Sequence, residues 1–215
     1  MMDKEFFIRI LSSFLLVPLA FFFIFKGSFF FNFFIIVILL ITLYEWHFLS
    51  SNKSYYIPGF IFIIFSFYTF YFLRNESSYF LFLLIIITCI STDVGGYIFG
   101  KILKGPKITK ISPNKTYAGM LGGFVLSLLV ASFFLSNLNI FSLSNAEYPP
   151  KKNIMIVVLC ISFISQIGDL IISFFKRKSK VKNTGKIIPG HGGILDRIDG
   201  MLFAYPFIYI STKIL

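Results

Sequence analysis

ISFISQIGDLIISFFKR, residues 161–177, decides how the rest of the chain is read. It is apolar enough for a membrane helix, yet it is not apolar all round. At 100° per residue, Ser162, Gln166, Asp169 and Ser173, then Lys176 and Arg177, fall within an arc of roughly 100°. The remaining face is Ile, Leu and Phe. Lipid cannot satisfy such a stripe, so it must line a cavity or a helix–helix interface. Ser and Gln would suffice for packing alone. A carboxylate at mid-bilayer costs about 2.5–3.5 kcal/mol on insertion scales, and Asp169 with two cations just below it suggests an anion–metal site.

The surroundings fit a membrane solvent. Of 215 residues, 57% are hydrophobic, 31 are Phe and only 13% are charged, with a mean hydropathy of +0.85. A water-soluble fold of this size could not hide that much apolar surface. Apolar runs predict helices at 8–26, 28–46, 57–73, 78–100, 117–138, 153–175 and 200–214, each near the ~20 residues that cross a bilayer core. The expected fold is all-α: a single integral-membrane domain over 1–215 with about seven spans. N-terminal helices fill 1–90, core segments 91–200, and a last helix 200–215. The first run begins with basic residues like a signal peptide, but it is too long and no small-x-small cleavage site closes it, so it reads as the first membrane helix.

Charge placement orients the chain. With the N-terminus inside, Lys4, Arg9, Lys53, five lysines from Lys101 to Lys115 and seven cations from Lys176 to Arg197 share one side, 15 of the 20 Lys and Arg. The positive-inside rule puts residues 101–116 and 176–199 in the cytoplasm, and a bacterial inner membrane is the expected location. A basic face of this kind suits anionic headgroups or a polyanionic substrate. No nucleic-acid-binding module is visible. Cys89 and Cys160 both lie in apolar runs and read as small buried hydrophobes, without the grouping that zinc or redox work needs.

Of five aspartates, Asp93, Asp169, Asp196 and Asp199 lie in or at the ends of membrane segments. Near the C-terminus, PGHGGILDRIDG, residues 189–200, concentrates polar residues. Pro189, Gly190, Gly192 and Gly193 forbid a regular helix and allow close backbone approach to a ligand. Asp196 and Asp199 then fall three apart on a helix start and face the same way. Two such carboxylates with a third from a neighbouring helix, Asp169, form an oxygen-rich set for one or two hard cations, Mg²⁺ before zinc. Lys176, Arg177, Lys182, Lys186 and Arg197 surround it, and the combination reads as phosphate chemistry at the membrane face. His191 is read as a phosphate contact or loop residue rather than a metal ligand. His47, beside Trp46, reads as an interfacial anchor.

A second basic loop, SPNKTYAGMLGG at 112–123, offers Ser112, Lys115 and Thr116 to a phosphate ahead of a helix N-terminus. Gly96, Gly100, Gly119, Gly122 and Gly123 read as small-residue packing positions, and they leave a homodimer open. Asp93 is a candidate substrate contact.

These stretches carry a resemblance. SFFKR, Lys182 and PGHGGILDRID, with GDL at 168–170, SPNKTYAG at 112–119 and TDVGGYIFGK at 92–101, resemble the signature of the phosphatidate cytidylyltransferase (CDP-diacylglycerol synthase) family. The likeness runs from about residue 92 to 200. It departs at Asn183, where the family usually has an acid after the signature lysine. An amide keeps the shape and loses the charge. The resemblance implies transfer of a cytidylyl group from CTP to phosphatidic acid, giving CDP-diacylglycerol and pyrophosphate. It matches Asp169 and Asp196 to the metal-binding acids, with Asp199 close by, and Ser173 and Lys176 to substrate-site positions. Lys176, Arg177, Arg197 and Ser173 are then the catalytic candidates. A CDP-alcohol phosphotransferase would need D-G-x-x-A-R, which is absent. A transporter or ion carrier using the intramembrane Asp stripe is the alternative from another class.

Overall fold

The computed structural model describes residues 18–26, 28–77, 79–109, 111–112, 114–137, 151–188 and 192–214. These residues are almost entirely helical. Residues 18–26 are helical and are followed by α1 (Ser28–Ser50), α2 (Tyr56–Phe72) with a π-helical turn at Leu73–Ser77, α3 (Tyr79–Leu103), α4 (Tyr117–Ser136), α5 (Lys151–Lys178) and α6 (Leu195–Ile214). The only extended pairings among the described residues are two isolated bridges, Lys107 with Thr116 and Ile188 with Gly192.

Five of these helices are long and apolar enough to cross a membrane: Phe29–Ser50, Tyr56–Asn75, Tyr79–Leu103, Tyr117–Ser136 and Asn153–Lys178. Together with the outward-facing Phe29, Ile57, Tyr97, Phe133 and other large apolar side chains, they make this an integral membrane protein. The expected count of seven is not reached among the described residues. Only the end of the expected 8–26 span is described. The expected 200–214 span is the C-terminal part of α6, whose first turns carry Asp196, Arg197 and Asp199 and whose last carries Lys213. Those charges leave too short a purely apolar run.

The chain folds as two compact units. The first contains the described residues up to Phe67 together with Phe175–Ile198. Its core gathers around buried Trp46. The indole Nε1–H donates to the Tyr56 carbonyl at 3.1 Å, and the ring lies edge-on to Phe175. Gly59 leaves room for that ring, since a Cβ there would sit 2.0 Å from it. Exposed His47 shares a hydrogen bond of 2.9 Å with the Tyr56 hydroxyl. The end of α5 is tied down by Ser179, whose hydroxyl donates to the Leu49 carbonyl at 2.6 Å.

The second unit contains Tyr68–Phe174 and Asp199–Leu215. Here α3 and α4 meet through glycines: a Cβ on Gly95 would strike the Gly122 carbonyl, and one on Gly119 the Gly96 carbonyl, both at 2.6 Å. The glycines that left a dimer open are thus used inside the unit, as small-residue packing in a membrane requires. α5 meets α6 in the same way, with Gly168 against Phe203 and Gly200 against Ser165. Buried Tyr205 stacks on Phe70 and donates its hydroxyl to the Phe82 carbonyl at 3.0 Å. The polar stripe of α5 faces inward: fully buried Ser162 hydrogen-bonds the Thr92 hydroxyl at 2.8 Å, and Gln166 lies against Gly123. The stripe therefore escapes lipid by packing against α3 and α4.

Candidate active site

The Asp196 carboxylate is fixed at the start of α6. Its Oδ1 accepts from Lys176 Nζ at 2.8 Å, and its Oδ2 accepts backbone N–H groups of Thr184 at 2.9 Å and Gly193 at 3.1 Å. The pair is largely shielded, with side-chain exposures of 13% for Lys176 and 9% for Asp196. The loop that delivers those amides is shaped by glycine. Gly192 has φ +89°, a conformation that L side chains rarely adopt, and a Cβ there would meet Asp196 Oδ2 and the Asn183 side chain. The loop closes on itself through Ile188 N–H to the Gly192 carbonyl at 2.9 Å. Asn183, where the family's acid is usual, is exposed, with its side chain beside Gly192.

Sequence reasoning missed the residue that holds this loop. Glu45, on α1, is 1% exposed. Its Oε1 accepts the Ile194 N–H at 2.9 Å, and its Oε2 accepts the Leu195 N–H at 2.8 Å and the Thr184 hydroxyl at 2.9 Å. α6 starts at Leu195, so Ile194 stands at the N-cap, and an isoleucine has no oxygen with which to satisfy the first free amides. Glu45 does so from another helix. Gly185 and Gly193 make room for it: a Cβ on Gly193 would lie 2.3 Å from Glu45 Oε2 and 2.2 Å from Thr184 Oγ1. Two signals were available in the sequence, a lone acid in an apolar span and a helix start without a capping side chain.

In the second unit, Asp169 forms an ion pair with Lys115 and accepts from the Ser173 hydroxyl at 3.2 Å. This pair is more open, with exposures of 26% and 27%. Lys115 comes from the α3–α4 connection. Beside it, Thr116 caps α4 by accepting the Gly119 N–H at 3.1 Å. Ser112 is half-buried in the same connection, and its carbonyl accepts the Lys115 N–H. Asp199 is buried, and its Oδ1 accepts the Gly200 N–H at 2.9 Å. Asp93 is exposed on α3. In the first unit, Arg177, Lys182, Lys186 and Arg197 are exposed. His191, with Pro189 and Gly190, lies outside the described residues.

The structure thus joins Lys176 to Asp196 in one unit, and Lys115 and Ser173 to Asp169 in the other. Asp196 is surrounded by a lysine ammonium and two backbone amides, and Asp169 by a lysine ammonium and a hydroxyl. Among the described residues, no three His, Cys, Asp or Glu side chains cluster closely enough to cage a metal by themselves. Carboxylate oxygens are the atom type that Mg²⁺ takes, one or two at a time, with water and substrate phosphate oxygens completing its shell. Cys89 is buried, and neither cysteine belongs to such a group.

Residues 57–215 match the model of the cytidylyltransferase family. The chain is 44% identical over 121 residues to the phosphatidate cytidylyltransferase of Bacillus subtilis, covering 55% of this chain and 42% of that protein. It is 44% identical over 124 residues to the enzyme of that name from Staphylococcus haemolyticus, with 55% and 44% covered. It is 38% identical over 129 residues to that of Brucella suis, with 58% and 43% covered. The chain thus matches about half the length of these curated relatives. With the family match spanning well over half of its 215 residues, the chain belongs to the cytidylyltransferase family.

Proposed function

We propose that the chain transfers the cytidylyl group of CTP to phosphatidic acid, forming CDP-diacylglycerol and pyrophosphate, with the reacting groups on the cytoplasmic side of a bacterial inner membrane. The observation that carries this reading is the Asp196 carboxylate, anchored on Lys176 and on two backbone amides of a glycine loop inside the family-matched region. Relatives bearing the name phosphatidate cytidylyltransferase support the choice of substrates.

In this reading an oxygen of the lipid phosphate forms a bond to the α-phosphorus of CTP. The bond from that phosphorus to the oxygen bridging to the β-phosphate breaks, and pyrophosphate leaves. The nucleophile is already anionic, so no strong base is needed, and alignment with charge neutralisation provides the rate. Lys176, Arg177, Lys182 and Arg197 offset the gathered negative charge. Lys115, Ser112 and Thr116 meet phosphate oxygens from the second basic loop, Ser173 orients Asp169, and Asp93 and His191 serve as substrate contacts. Asp169 and Asp196, with Asp199, are the proposed ligands of Mg²⁺, and a second cation is part of the same proposal. When bound, it supplies Lewis-acid neutralisation of phosphate oxygens.

Purified chain given CTP and phosphatidic acid is expected to release pyrophosphate in step with CDP-lipid formation. Movement of solute across vesicles without any consumption of CTP would replace this reading with a transporter.

A further inference from the structure

We infer that Glu45 is a positioning residue for cytidylyl transfer: its carboxylate fixes Thr184, Ile194 and Leu195 so that the amides of Thr184 and Gly193 hold Asp196 in a single orientation. This rests on the functional reading above. The residue lies outside the family-matched region, which begins at 57, and it belongs to a helix that the sequence marks only as a hydrophobic span.

The connectivity is specific. Thr184 serves both carboxylates at once: its hydroxyl donates to Glu45 Oε2 and its backbone N–H donates to Asp196 Oδ2. Gly193 does the same by position. Its N–H donates to Asp196, and its Cα faces Glu45 closely enough that no side chain fits between them. Ile194 and Leu195, the next two residues, give their N–H groups to Glu45. Glu45 and Asp196 therefore grip adjoining parts of one loop, and Lys176 takes the remaining Asp196 oxygen. A carboxylate this buried persists only when its oxygens are satisfied. Thr184, Ile194 and Leu195 supply three donors that satisfy it, and those residues are held in return. Because the grip is made by backbone amides, a small shift of the loop moves the Asp196 carboxylate with it, and misplacement of about 1 Å at a reacting site lowers rate by about 10²-fold.

Glu45→Gln tests this. Glutamine has one acceptor oxygen, so its amide nitrogen must face an N–H donor that the carboxylate accepted. The full chain, purified in detergent, is measured in two ways: amide hydrogen exchange at Ile194 and Leu195, and kcat and KM for CTP per folded protein. E45Q is expected to speed exchange at both amides at least about tenfold and to lower kcat by about 10–100-fold, with KM for CTP changed by less than about threefold. Faster exchange with wild-type kcat would make the clamp structural only and overturn the proposal, as would unchanged exchange. If E45Q does not fold, Thr184→Val removes one of the three bonds and is expected to shift both readouts in the same direction by a smaller factor. Wild-type kcat in T184V would then overturn the proposal. If the wild-type chain makes no CDP-lipid, the functional reading falls, whereas the exchange data still decide whether Glu45 holds the loop.

Discussion

Asp196 and Asp169 each face a lysine, yet they are held in different ways. Two of the three donors to Asp196 are backbone amides, and the side chain is 9% exposed. Asp169 is held by the side chains of Lys115 and Ser173 and is 27% exposed. A backbone amide in a closed glycine loop cannot swing aside, whereas a lysine ammonium on four methylenes can. Asp196 is therefore the more firmly fixed of the two acids, and Asp169 the one whose partners are rotatable side chains.

Substitutions can break that contrast. The largest effect is expected from removing either acid. Asp196→Asn and Asp169→Asn should each lower Mg²⁺-dependent incorporation of labelled CTP into lipid by ~10³-fold or more, while membrane insertion stays normal. Near-wild-type turnover in either variant would remove that residue from the site. Smaller and unequal effects are expected from the lysines. Lys176→Ala leaves a shielded acid without its counter-charge, so it should cost about 1–3 kcal/mol in thermal stability and about 10²-fold in kcat/KM for CTP. Lys115→Ala acts on a more open pair and should cost under about 1 kcal/mol, with a kinetic loss nearer tenfold. Thermal unfolding and steady-state kinetics in one detergent compare the two. Equal losses would mean that the difference in burial has no functional weight.

The same contrast marks what the sequence could convey. Apolar length gave the spans along the middle of the chain, because a membrane helix needs little beyond composition. The stripe on α5 gave its inward face through Ser162, Gln166 and Asp169, because period alone sets which side chains align. It did not give what the stripe meets. The Lys115–Asp169 pair joins residues more than fifty positions apart, and either residue taken alone could equally contact substrate. The count of seven is not reached among the described residues, since at α6 Asp196, Arg197 and Asp199 shorten the apolar run. Spacing of three placed Asp196 and Asp199 on one helical face, yet Asp196 accepts the Gly193 N–H ahead of the helix and Asp199 that of Gly200 within it. Glu45 stood out as a lone acid in an apolar span, but what it binds was not legible, for a physical reason. Its three donors lie 139 to 150 residues away along the chain, and no local pattern encodes a cap supplied by another helix.

The account turns on Asp169 and Asp196 serving as ligands of a divalent cation rather than only as partners of lysines. Electron paramagnetic resonance with Mn²⁺ in place of Mg²⁺ reads this without relying on turnover. Titrating Mn²⁺ into purified wild-type chain with CTP should show saturable binding, and Asp169→Asn and Asp196→Asn should each weaken it at least about tenfold. Mn²⁺ binding unchanged by both substitutions would contradict it.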